Sequence, residues 1–198
     1  MLHPLRFFAS VLIALAMPTG LSAQADAPLA PLNYQLDASQ SDVSARVRFF
    51  GLASKTARFP RMEGAVTIVP GAPEEALIDV TFDAIAIEAS DETTLRRLRG
   101  ERFFWVDEHP TIRFVGRSLD LTSATIGTVT GELTARGVTN PETLEVTFEQ
   151  DPQSAPEGTA VEFTGRMEID RRDYGMRSYQ LIVGNTVKIE LSARMVPG

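Results

Sequence analysis

Residues able to do covalent chemistry are scarce in this chain. It contains no cysteine, so thiol nucleophiles and cysteine-bound zinc are excluded. Outside the extreme N-terminus its one histidine is His109, directly before Pro110. A Ser-His-Asp triad would have to use His109, yet no Gly-x-Ser-x-Gly elbow is present. No glycine-rich phosphate cradle precedes a helix. The acidic pair Glu74-Glu75 falls in a turn and reads as a solubility feature. Arg48, Arg58, Arg61 and Arg97 could meet a phosphate or carboxylate head group, although solvated surface arginines are the commoner case. These residues predict no enzyme, no cofactor and no metal. A hydrolase built on His109 is the alternative that an alanine substitution there would test.

What the chain has in quantity is apolar surface at a spacing of two. Val43, Ala45, Val47 and Phe49 alternate with Asp42, Ser44, Arg46 and Arg48. Ile78, Val80 and Phe82 alternate with Asp79, Thr81 and Asp83, and Ile112 and Phe114 stand opposite Arg113 and Arg117. Further runs place Leu133, then Leu144, Val146 and Phe148, then Phe163 and Met167, then Val187, Ile189 and Leu191 on one face each. One apolar face per strand means that each strand is half buried. Such strands must curl or stack until those faces meet.

The elements that would hold these faces are strands at residues 34–37, 42–50, 64–69, 76–87, 111–119, 125–136, 143–150, 160–170 and 185–194, each bounded by Gly, Pro, Asn or Asp. One short helix follows Ser90, its expected cap, and stops at Gly100. The fold class is therefore all-β, with about eight antiparallel strands. Alternation alone does not separate a barrel, wide enough for one slender ligand, from a sandwich that fills its own interior. Gly131 and Gly165 sit on apolar faces, where they either leave room for a ligand or permit strong curvature. Phe103, Phe104 and Trp105, with His109 nearby, are candidates for a lid or a capped mouth.

Arg6, an apolar run to Met17 and Ala23-Gln24-Ala25 read as a cleaved secretion signal over 1–25, the run being too short to span a bilayer. Residues 26–33 then form a flexible leader, and 34–198 a single domain. Export through such a signal predicts a periplasmic protein without an integral membrane anchor. The formal charge of −7 argues against nucleic acid and against attachment to anionic lipid surfaces.

Five segments together resemble the YceI family of bacterial periplasmic proteins. They are Tyr34-Gln35-Leu36-Asp37 with Asp42 to Val47; Phe103-Phe104 followed by His109 to Phe114; Gly131 to Pro141 (GELTARGVTNP); Arg171-Arg172-Asp173-Tyr174-Gly175-Met176; and Gly184 to Ile189. The resemblance runs in order from Tyr34 to Ala193. It implies a lipocalin-like extended antiparallel barrel that holds a long-chain amphiphile, a polyprenoid or isoprenoid quinone, along its axis. The chain departs from the family in Arg96-Arg97-Leu98-Arg99-Gly100, which lacks the usual Asp-x-His pair, and in His109, which replaces a tyrosine. These departures bear on the ligand rather than on the fold.

On this reading the tunnel wall comprises Val43, Val47, Phe49, Ile78, Val80, Phe82, Ile112, Phe114, Leu133, Val146, Phe148, Phe163, Met167, Ile189 and Leu191. The mouth comprises Phe103, Phe104, Trp105 and His109. A fatty acid or its amide is the runner-up ligand. A fully packed β-domain acting through a protein partner, for instance in an envelope stress response, is the runner-up function. A homodimer and a delivery partner are left open.

Overall fold

The computed structural model describes residues 30–156 and 158–198; the expected signal at 1–25 lies outside them. Among these residues eleven strands run in chain order: β1 (Leu32–Leu36), β2 (Asp42–Phe49), β3 (Ala53–Arg58), β4 (Met62–Ile68), β5 (Leu77–Asp83), β6 (Glu88–Ala89), β7 (Thr111–Leu121), β8 (Ile126–Ala135), β9 (Val138–Phe148), β10 (Val161–Asp170) and β11 (Val183–Pro197). The helix α1 (Glu92–Arg99) stands between β6 and β7. All pairings are antiparallel. The ring β1-β4-β5-β7-β8-β9-β10-β11 closes through β1 on β11, with Tyr34 opposite Pro197. This closure decides for an eight-stranded barrel over a sandwich.

β1 and β2 lie end to end along β11, with a short 3-10 turn between them. Asp37 caps that turn by accepting from the Ser39 N–H at 3.1 Å. β3 and β4 follow the same course on the neighbouring side. The upper wall, β2-β3-β6, thus extends the barrel beyond the ring. There α1 and residues 99–110 cover the side that no strand fills.

Several boundaries differ from the sequence reading, each for a local reason. β1 begins at Leu32, inside the expected leader. The expected strand 76–87 ends at Asp83, whose carboxylate accepts from the Ile85 N–H at 2.9 Å and turns the chain. β9 begins early because Arg136 and Gly137, at φ +51° and +73°, fold it directly onto β8. Pro141 is tolerated in β9 because pairing with β10 stops at Glu145. Beyond that point the 171–176 turn lies alongside instead, through Asn140 Nδ2 to Asp173 O and Tyr174 OH to Glu142. The helix cap is Asp91, not Ser90: Asp91 accepts from the Thr94 N–H at 2.8 Å, while Ser90 Oγ only donates to Asp91.

The two glycines on apolar faces make close approaches and leave no hollow. A Cβ on Gly131 would lie 2.5 Å from Val115 O and 2.8 Å from Gly116 Cα, next to the irregularity where β7 bends over β8. A Cβ on Gly165 would lie 3.0 Å from Leu191 Cγ and 3.1 Å from Leu144 Cδ1.

Candidate ligand-binding bore

The inward faces do not fill the barrel. They enclose a cavity of about 220 Å³, counted as the space open to the centre of a water-sized sphere. On that measure about 10–15 Å³ holds one water, so the bore is a true void. Every residue assigned from sequence to the wall lines it except Phe49: Val43 and Val47 from β2; Ile78, Val80 and Phe82 from β5; Ile112 and Phe114 from β7; Leu133 from β8; Val146 and Phe148 from β9; Phe163 and Met167 from β10; Ile189 and Leu191 from β11. Phe49 instead packs edge-on against Phe50, with Lys55 Nζ 5.7 Å from its ring centre. Val47, Val80, Phe163 and Ile189 point inward yet stay only half-buried, because their remaining surface faces the void.

The two ends of the bore differ. At the lower end Ile68, Ala76, Leu119 and Met195 line it at 2 % exposure or less. The 69–76 connection and the fully buried Pro152 also lie there, tied by Gln153 Oε1 accepting from the Gly71 N–H at 3.1 Å. That end is sealed. At the upper end Lys55, Thr56, Thr94, Leu98 and Phe104 line the bore and remain partly exposed. The opening therefore lies between β3 and α1. Among the described residues, the polar side chains on the bore wall (Lys55, Thr56, Thr94 and Arg171) are all at this upper end, so a ligand's polar group would find Lys55 and the two threonines there and an apolar tail would lie below.

One ion pair spans the opening, Lys55 Nζ to Asp91 at 2.8 Å. The Lys55 ammonium and the two Thr94 donors hold the Asp91 carboxyl far below the usual carboxylate range. The pair's contribution is present above the unfolded carboxyl's pKa and is lost as pH falls through the depressed folded value. Wild-type α1 should therefore keep its amide-exchange protection from pH 7 down to about pH 4 and lose it progressively as the pH falls further. Asp91→Ala should show the low protection at every pH. Unchanged protection in that variant would mean that the pair does not hold the helix.

The predicted mouth residues divide. Phe103 and Phe104 line the bore. Phe103 also stacks on Tyr179, centroids 6.1 Å apart and planes within 8°, which ties the 177–182 loop to the segment after α1. Trp105 and His109 do not line it. They meet edge to face at 5.6 Å, with the Arg136 guanidinium 5.7 Å from the Trp105 ring. The His109 ring covers Gly137 so closely that a Cβ there would be 2.8 Å from Cε1. Both residues brace the β8–β9 hairpin from outside the cavity. Arg58 and Arg61 pair with Asp42 and Asp83 on the surface. Arg97 lies 5.7 Å from the Tyr179 ring centre, and neither it nor Arg48 reaches the bore.

Arg171 is the functional-looking residue that alternation missed. It is 2 % exposed, lines the bore and has no carboxylate on its guanidinium; burial lowers its pKa. Its Nε donates to Gly184 O at 2.8 Å, one terminal nitrogen to Val183 O at 3.0 Å and the other to Met176 O. The side chain thereby ties the 171–176 turn to the start of β11. Nearby, the wholly buried Tyr174 donates to Glu142 at 2.7 Å, and burial beside that carboxylate pushes its pKa up. Among the described residues no cluster of His, Asp or Glu is arranged to hold a metal.

A closed eight-stranded barrel with a blind apolar bore is an architecture with room for one small ligand. The family model for the YceI-like domain matches residues 34–195, and the chain belongs to that family. A UPF0312 protein of Pseudomonas savastanoi pv. phaseolicola is 23% identical over 166 residues, covering 84% of this chain and 86% of the relative. Among solved structures, Burkholderia cenocepacia BcnA is similar with a TM-score of 0.71 at 22% identity, over 80% of this chain and 98% of BcnA. A polyisoprenoid binding domain from Saccharophagus degradans, implicated in plant cell wall breakdown, gives 0.64 at 15% identity, over 84% of this chain and 99% of that domain. No helix among the described residues is long and apolar enough to cross a membrane.

Proposed function

We propose that this chain is a periplasmic carrier that holds the tail of a long-chain isoprenoid or isoprenoid quinone in its bore, the head group at the opening beside Lys55 and Thr94. The observation that carries this reading is a hollow apolar tube sealed at one end and polar only at the other. Burial returns about 0.8 kcal/mol per methylene, or about 3–4 kcal/mol per five-carbon unit before the losses of association. A few such units bind tightly without a charged contact. The polyisoprenoid binding named for the S. degradans domain supports the same ligand class.

Native mass spectrometry of protein purified from its own host tests the reading. The expected spectrum shows a chain cut after Ala25 that carries a lipid of isoprenoid mass. A copurifying fatty acid or amide would replace the ligand class and keep the bore. Protein that arrives empty and takes up no added polyprenol or quinone would overturn the carrier in favour of a domain acting through a protein partner.

A further inference from the structure

The upper end of the barrel carries an apolar tip that the fold does not use. Leu52 and Leu181 are each 99 % exposed and Phe50 is 65 % exposed. They come from two loops, 50–52 and 177–182, joined by the Phe50 N–H donating to Ile182 O at 2.7 Å. Phe50 is held at φ +51°, a left-handed backbone that is unfavourable for a bulky aromatic. Phe50 and Gly51, at φ +51° and +73°, form the β2–β3 turn that leaves this ring mostly exposed. The exposed apolar residues at the lower end, Leu77 and Ile126, are about half exposed and stand on strands separated by β7.

Charge is divided along the same axis. The upper connections (50–52, 90–110, 136–137 and 171–182) hold eight Lys or Arg against six Asp or Glu, and Arg48 and Lys55 stand on the adjoining strand ends. The lower connections (69–76, 122–125 and 149–156) hold four acidic residues and no basic one. Around the tip, Arg48, Arg97 and Arg177 are exposed and form no salt bridge among the described residues. Most arginines on the barrel wall (Arg58, Arg113, Arg117 and Arg194) do, Arg46 and Arg166 excepted. The overall charge of −7 therefore misleads: it conceals a basic end.

We propose that this end is a peripheral docking surface for an anionic phospholipid bilayer, with Phe50, Leu52 and Leu181 entering the interface and the free arginines meeting lipid phosphates. Apolar side chains ringed by unpaired cations are the combination that interfacial binding requires. The proposal goes beyond the carrier reading but gives it a route. Tyr179, two residues from Leu181, stacks on the bore-lining Phe103, so a docked barrel presents its opening to the lipid it would load.

Flotation of the mature chain with vesicles tests this. Binding is expected on phosphatidylethanolamine–phosphatidylglycerol vesicles, about tenfold or more weaker on pure phosphatidylcholine, and reversed by about 0.5 M NaCl. The double variant Leu52→Glu, Leu181→Glu should bind the anionic vesicles about tenfold or more weakly. Both sites are solvent-exposed, so folding should be unaffected. The same variant should still take up detergent-dispersed geranylgeraniol like the parent, whereas a parent that fails to take it up indicts the bore and not the tip. The docking proposal is overturned if the parent does not float with anionic vesicles, or if the variant floats equally well. It is also overturned if the variant only converts a dimer to a monomer in sedimentation, which would make the tip a contact between copies.

Discussion

Replacing Arg171 by methionine is expected to reduce folding stability by about 3–5 kcal/mol, read as a lower urea midpoint at unchanged slope. Methionine can occupy the aliphatic volume but offers no donors. The carbonyls of Met176, Val183 and Gly184 would lose their partner at a site that is 2 % exposed. Each orphaned buried acceptor costs about 1–3 kcal/mol, softened where water can reach it. Lysine should recover only a part, because a single ammonium cannot span the three directions that the planar guanidinium serves. The destabilisation should appear first in the 171–184 segment, as lost amide-exchange protection ahead of the barrel strands. A change below about 1 kcal/mol would show that the loop is held by its other contacts.

The second large effect is expected from Phe163→Glu. Phe163 stands on β10 with its ring 5.5 Å from that of Phe148, half-buried and facing the void. A carboxylate there either stays charged and draws water into the bore or takes up a proton. Both responses remove the dry surface a hydrocarbon tail needs, and uptake of an added polyprenol should fall about 100-fold or more. Uptake should return in part as pH is lowered and the new carboxyl neutralises. Mere collapse of the barrel would not show that recovery. Circular dichroism must first show intact strands. If the variant folds and loads normally, a ligand does not run past this position.

The wall was legible in the sequence because a strand's period of two is short. Runs such as Asp42 to Val47 expose the pattern within six residues. β3 was not legible. Its sequence, ASKTAR, shows no apolar alternation, and its inner face presents Lys55 and Ala57. It becomes a strand because β2 pairs with it from Ser44–Arg58 to Phe49–Ala53, a tertiary cause that no local pattern records. Phe49 shows the opposite failure. It has the correct parity, but it lies at the last rung, where the barrel has already opened. Closure itself was invisible to alternation. It depends on the register of β1 against β11, residues far apart in the chain. Arg171 gave no hydrophobic signal at all. Its only trace was membership of the Arg171 to Met176 turn, where nothing indicates that the side chain points inward.

The sealed floor formed by Ile68, Ala76, Leu119 and Met195 has a kinetic meaning. A blind tube permits no through traffic. On the proposed carrier function, a tail backs out along the path by which it entered, and each further carbon unit lodged below the rim lengthens its stay. The depth of the tube thus acts as a gauge: chains shorter than it exchange quickly, while longer ones leave a surplus outside the rim.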